Sequence, residues 1–212
     1  MYLPLYNGID SLEIGVPPGS MFGAIEPRRE RPLLFYGTSI MHGACASRAG
    51  MAFPAILGRR LNMPVVNLGF SGNGKMEPEV GKLLTEIDAA VYIIDCLPNV
   101  TPLETAQRAT PLVRQLRAAR PKTPILMVED RIFANAVVLP GRAKGHRERQ
   151  AAFRAACDTL IAEGIEGLYY LEGKDLLGGD GEATVDGSHP TDLGMVRYAD
   201  AYDKVLRKIL DR

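Results

Sequence analysis

The chain has 212 residues, 46% of them hydrophobic and 24% charged, which suits one soluble globular domain with one good-sized core. Its 25 basic residues balance its 25 acidic ones, so no charge excess points to nucleic acid or an anionic membrane surface. No apolar run approaches the roughly 20 residues of a membrane span.

Residues 1–31 stand apart from the remainder of the chain. YLPLY and SLEIGV, separated by Asn7-Gly8, read as a short β-hairpin, and the Pro-, Gly- and Arg-rich stretch after them reads as a linker. Two readings stay open for this segment: an N-terminal arm packed on the main domain, or the last hairpin of an upstream β-sandwich. MYLPLYNGIDSLEIG lacks a basic region followed by an apolar stretch and so does not read as a signal peptide. Compartment and oligomeric state stay open.

From residue 32 to 212, short Val-, Ile- and Leu-rich runs alternate with helix-length segments. Strands are expected at Leu33 to Gly37, Pro64 to Gly69, Val91 to Asp95 and Pro124 to Glu129, with a weaker one at Gly167 to Leu171. Runs apolar on both faces fit buried parallel strands. Helices are expected near 50–61, 76–87, 101–119 and 145–163. A last one, about 191–210, sets Val196, Ala199, Val205, Leu206 and Ile209 at helical spacing. Repeated βα units imply a three-layer α/β/α sandwich on a mostly parallel five-stranded sheet.

Four motifs carry chemistry, three of them just past strand ends, the edge where open α/β sheets bind ligands. The first strand runs into Gly37-Thr38-Ser39-Ile40, which lifts a serine hydroxyl out of the sheet at a helix start; a serine there is also a common helix cap. The second runs into Asn67-Leu68-Gly69-Phe70-Ser71-Gly72-Asn73-Gly74, and the third into Asp95-Cys96-Leu97-Pro98-Asn99. A glycine N–H and an asparagine amide suit a developing oxyanion. In Asp186-Gly187-Ser188-His189-Pro190 the three-residue spacing lets the carboxylate reach one imidazole nitrogen and leaves the other as a base.

These four motifs resemble those of the SGNH (GDSL-like) hydrolase family, nearest a bacterial subgroup with GTSI, NLGFSGNG, DCLPN and DGSHP blocks, often preceded by a small β-sandwich. The resemblance implies a flavodoxin-like fold and a serine esterase without cofactor or metal. It makes Ser39 the nucleophile and His189 the base oriented by Asp186, with the Ser39 N–H, Gly72 and Asn99 forming the oxyanion hole. The implied substrate is a short-chain, acetyl-type ester, small or on a carbohydrate, with no nucleic-acid or membrane partner. An acyltransferase, a lipase or thioesterase using the same residues, and a non-catalytic carbohydrate-binding module are the alternatives. Thr38 and Val100 depart from the residues many relatives carry.

Other residues compete for a role. Gly69 to Lys75 matches most of a P-loop, but Met76 stands where Ser or Thr would hold Mg²⁺. His42 competes as a base and is placed, with Asn73 and Arg131, as a pocket-lining residue. Glu129-Asp130-Arg131 reads either as an ion pair ending the fourth strand or as a pocket wall in which Arg131 meets a polar or anionic group. His146 reads as part of a solvated loop and helix start. Three histidines without grouped cysteines or carboxylates do not make a zinc site, and Cys45, Cys96 and Cys157 lack CxxC spacing and read as small buried hydrophobes.

Overall fold

The computed structural model describes residues Met1–Asp211. Five strands form one parallel sheet: β1 (Leu33–Gly37), β2 (Val65–Gly69), β3 (Val91–Asp95), β4 (Ile125–Val128) and β5 (Leu168–Leu171). Their order is β2-β1-β3-β4-β5, the flavodoxin-like arrangement in which the chain changes direction across the sheet after β2. The helices are α1 (Ser39–His42), α2 (Phe53–Leu61), α3 (Pro78–Leu84), α4 (Pro102–Ala119), α5 (Pro140–Ala162) and α6 (Asp192–Ile209).

Side chains alternate across the sheet, so each strand feeds two cores. Leu33 and Phe35 of β1 face one side with Val91 and Ile93 of β3, and there they meet α2 and the Met195, Tyr198, Tyr202 and Leu206 stripe of α6. Leu34 and Tyr36 face the other side with Tyr92 and Ile94, under α3, α4 and α5. All five β1 residues are buried, which explains why this run shows no polar alternation.

Local chemistry sets the helix ends. Thr101 caps α4 in a capping box: its hydroxyl accepts from Glu104 N–H, and the Glu104 carboxylate accepts from Thr101 N–H. Pro102 follows at the first helical position, where its missing N–H costs nothing. Thr191 caps α6 by accepting from Gly194 N–H. The helix expected from about 145 begins earlier, at Pro140, which likewise occupies the first turn.

Two expectations fail. Residues 1–31 form no strand. Neither Asn7 nor Gly8 takes the positive φ of a two-residue hairpin turn. Pro4 removes a ladder donor from the first run, and two strands alone are marginal in water. The segment is instead an extended arm. Tyr2 accepts a hydrogen bond from Arg59 at 2.7 Å, and Tyr6 stacks on His42 at 4.1 Å. The second failure is Cys45, which is exposed at positive φ (65°) in the turn after α1, while Cys96 and Cys157 are buried as expected.

Asp95 ends β3 as a fully buried carboxylate that accepts the Tyr202 hydroxyl at 2.6 Å. Burial pushes its pKa up to about 7, against the Tyr202 hydrogen bond; the Asp130 charge adds to the rise and Arg131 opposes it. A folded pKa above the unfolded value means that the folded state holds the proton more tightly. This contribution is fully present below about pH 4 and is lost as pH rises through about 7. The unfolding free energy of the wild type from denaturant titrations should therefore fall between pH 5 and pH 8 by an amount on the order of 1–3 kcal/mol. Asp95→Asn, which keeps an acceptor for Tyr202, should flatten that slope; an unchanged slope would show that Asp95 does not set it.

Candidate active site

The strand ends place four segments side by side. β1 stops at Gly37, and Thr38 in extended conformation turns the chain so that Ser39 opens the single-turn helix α1. α1 is pressed onto the end of β2: a Cβ on Gly69 would lie 2.2 Å from the His42 nitrogen, so only glycine fits there. Asn67 fixes the same contact, donating to Met41 carbonyl at 2.9 Å and accepting from Gly69 N–H at 3.0 Å. Gly74 closes against Gly37 from the following turn, where any Cβ would lie 2.0 Å from the Gly37 carbonyl oxygen.

Ser39 is 8% exposed, and its Oγ lies 3.0 Å from His189 Nε2, across 150 residues of sequence. His189 Nδ1 lies 2.7 Å from Asp186 Oδ2. The other carboxylate oxygen of Asp186 accepts the N–H groups of Ser188 (2.8 Å) and His189 (2.7 Å). Burial pushes the Asp186 carboxyl up, but the His189 hydrogen bond, these two N–H groups and the imidazole charge outweigh it and hold it at about 2. The imidazole thus has a fixed, ionised partner on one side and the serine hydroxyl on the other.

The loop carrying Asp186 and His189 is pinned from two directions. Val185 N–H donates to His189 carbonyl at 3.0 Å and Thr191 N–H to Ala183 carbonyl at 2.9 Å, closing the loop at the start of α6. From the end of β4, Ala134 N–H donates to Gly187 carbonyl at 3.0 Å. Arg131 donates from Nε to Ser188 carbonyl at 3.2 Å and from a terminal nitrogen to the Ser188 hydroxyl. Its remaining terminal nitrogen pairs with Asp130, and both side chains are buried. Asp130 also meets Arg149 at 2.9 Å and His146 Nδ1 at 3.3 Å. Burial raises the Asp130 pKa, but the charge of Arg131 and the His146 contact lead the influences that bring it down to about 2.

A cleft of about 550 Å³ opens beside Ser39, lined by Asn99, His189, Phe133 and the first turns of α5. Asn99, in the short turn after β3, donates its side-chain amide to Asn73 carbonyl at 2.6 Å, which fixes the amide plane at the cleft. Ser39, Asn99, Asp186, His189 and Arg131 all line this space. Among the described residues, no group of three or more His, Cys, Asp or Glu side chains is arranged to hold a metal ion.

Three expected pocket residues are placed differently. His42 turns away from the cleft, with Nε2 against Leu5 carbonyl and its ring under Tyr6, because the N-terminal arm covers that side of α1. Asn73 is off the cleft wall: its carbonyl takes the Asn99 amide and its own amide turns back to Ser71 carbonyl at 3.4 Å. Arg131 reaches the wall, with Asp130 and Ser188 holding its guanidinium, so it positions the loop. Gly72, at φ 72°, lies on the turn beside Asn73, whose carbonyl takes the Asn99 amide. His146 is a buried partner of Asp130, not part of a solvated loop. The positioning roles of Asn67, Arg131 and Ser188 escaped sequence reading, since each depends on a contact with a distant segment.

Residues 30–207 match the family model of the GDSL-like lipase/acylhydrolase family. A crystal structure described as a GDSL-like lipase from Bacteroides ovatus is 39% identical and superposes with a TM-score of 0.95. The match covers 99% of this chain but 62% of that one, so the chain spans under two thirds of that relative's length. A salicylyl-acyltransferase from a tetracycline biosynthetic pathway matches at 16% identity and TM-score 0.75, over 87% of this chain and 56% of its own. A family two carbohydrate esterase from Clostridium thermocellum, in complex with cellohexaose, matches at 16% identity and TM-score 0.68, over 91% of this chain and 68% of its own. These last two share the fold. No curated protein matches the chain. With its parallel sheet and most of its length matched, this chain belongs to the GDSL-like lipase/acylhydrolase family.

Proposed function

We propose that the chain is a serine esterase that forms an acyl-enzyme on Ser39 and releases short acyl groups, acetyl above all, from polar alcohols such as sugars. The observation that carries this reading is the unbroken line from Ser39 Oγ to His189 Nε2 (3.0 Å) and from His189 Nδ1 to Asp186 (2.7 Å), opening on a cleft. As Ser39 Oγ attacks the ester carbon, His189 Nε2 takes its proton, and Asp186 stabilises the imidazolium. Carbonyl electrons move onto the oxygen, which the Asn99 amide and the Ser39 and Gly72 N–H groups receive. Neither of those N–H groups has an acceptor among the described residues. His189 then returns the proton to the leaving alcohol oxygen as the C–O bond breaks, and a water repeats the sequence to free the acid.

A second reading has its own observation. Phe133 separates the cleft from a neighbouring cavity of about 470 Å³ that Ile132, Val137 and Leu177 help to line. The loop carrying Ile132, Val137, Val138 and Leu139 exposes apolar side chains, whereas Leu97, the other apolar candidate for a trench, is fully buried. If Phe133 moved aside, a long acyl chain would gain about 0.8 kcal/mol per buried CH₂.

Three outcomes test these readings. Ser39→Ala and His189→Ala should each lower kcat by about 10⁶-fold, and a fluorophosphonate should label Ser39 alone. Labelling that persists in Ser39→Ala would refute the nucleophile. Asn99→Ala should lower kcat by about 10²–10³ with KM nearly unchanged, because its amide meets charge that exists only in the transition state. A change confined to KM would assign Asn99 to substrate binding. Across a p-nitrophenyl ester series, acetyl should exceed octanoyl in kcat/KM; a steady rise with chain length would favour the lipase reading, and faster acyl release on adding an acceptor alcohol would mark an acyltransferase.

A further inference from the structure

Part of the cleft lining comes from α5, and its side chains are unusual for a surface meant to receive a neutral ester. Gly141, Gly145 and Arg149 follow one another at four-residue intervals, so they lie on one helix face, and all three line the cleft. Glycine is a poor helix former, and nothing in the fold requires it here. A Cβ on Gly141 would meet nothing within 4 Å, and one on Gly145 would meet only Arg149 Nη1 at 3.9 Å. The room these glycines leave therefore belongs to the cleft.

Arginines surround that room. Arg131 and Arg149 share the single buried carboxylate of Asp130, which leaves that cluster with an excess of positive charge. Arg142, in the first turn of α5, lines the same cleft and lies 5.4 Å from the centroid of the Phe133 ring; no carboxylate among the described residues pairs with it. The one acidic side chain on the cleft wall, Asp186, is committed to His189 and two backbone N–H groups. The α5 side of the cleft thus carries a guanidinium with nothing to neutralise it, next to vacant helix surface.

Resting on the esterase reading above, we infer that the substrate carries a carboxylate close to its ester, bound by Arg142 over the Gly141–Gly145 face with the positive Arg149 behind it. The planar guanidinium takes a carboxylate through two parallel N–H bonds, and the Phe133 ring supports its face. The acid belongs either to the alcohol, as in an acetylated sugar acid, or to the acyl group, as in a half-ester of a diacid; both bring the same chemistry to Arg142.

Matched substrates separate these sources. The purified protein is assayed on para-acetoxybenzoate against its methyl ester, and on para-nitrophenyl succinate against its methyl ester. In one pair the anion should be preferred in kcat/KM by roughly 10- to 100-fold, the preference should shrink as salt is raised, and Arg142→Gln should bring the ratio to about one. Arg142→Lys should retain part of it. The pair that shows the preference identifies the half of the substrate that bears the acid. In parallel, Ser39→Ala protein is titrated with benzoate and with benzamide; benzoate should bind at least about 10-fold more tightly, and adding Arg142→Gln should remove the difference. Benzoate binding without turnover of any ester would overturn the esterase reading and leave the anion site standing. Equal turnover within both pairs, or no preference for benzoate over benzamide, would overturn the anion site whatever the esterase result.

Discussion

The buried pair of Arg131 and Asp130 at the end of β4 is the contact on which the rest of the site depends. Taking two charges out of water costs several kcal/mol per ion unless their remaining hydrogen-bonding groups are met. Here they are. Arg131 places its three nitrogens on Asp130, the Ser188 carbonyl and the Ser188 hydroxyl, and Asp130 also meets Arg149 and His146. The pair therefore reports less about net stability than about position, because its geometry is satisfied only while the 186–189 loop sits where it does. That loop carries both ionisable members of the proposed triad, so the sheet dictates the direction of the imidazole through a side chain that touches no reacting atom.

Ser39, the proposed nucleophile, is fixed by the opposite means. No ion pair holds α1; backbone is packed on backbone. Gly37, Gly69 and Gly74 remove the side chains that would keep β1, β2 and α1 apart, and Asn67 stitches the gap with two hydrogen bonds. A helix of four residues has no stability of its own, so Ser39 is held by tertiary contact alone. A serine on such a turn and a histidine on a loop pinned from β4 meet at 3.0 Å because both elements are anchored to the same five strands.

Most of this frame was legible in the sequence, for a definable reason. Strands buried on both faces must be almost wholly apolar, and β1, β4 and β3 up to its terminal Asp95 are, so their limits could be read to within about a residue. The Asp186–His189 pairing was legible because it is local: three residues across a turn. What could not be read was contact between distant segments. Arg131 looks the same in sequence whether it faces a ligand or Ser188. His42 was expected at the pocket, and nothing near it announces that Tyr6 and Leu5 would cover it. The expected hairpin did not form for a related reason: Asn7-Gly8 is a turn signal only where two strands have a sheet or core to pack against, and here Tyr2 and Tyr6 meet Arg59 and His42 instead.

Charge along the cleft lining is unevenly placed, and the unevenness bears on how a substrate would lie in it. Asp186 lines the cleft with Ser39, its carboxylate ionised and already committed to His189 and two N–H groups. The arginines stand on the α5 side, around the open glycine face. An anion placed near Asp186 would meet like charge. The same anion near Arg142 would gain a donor and lose little water, since that side chain stays exposed at the cleft mouth. On the proposed binding, a molecule bearing both an acid and an ester is turned one way round, with its carbonyl toward the Ser39 and Asn99 donors and its acid toward α5. In that orientation the arginine selects and aligns the molecule, while the charge that builds up during reaction falls on donors that the arginine does not touch, so recognition and rate can be altered separately.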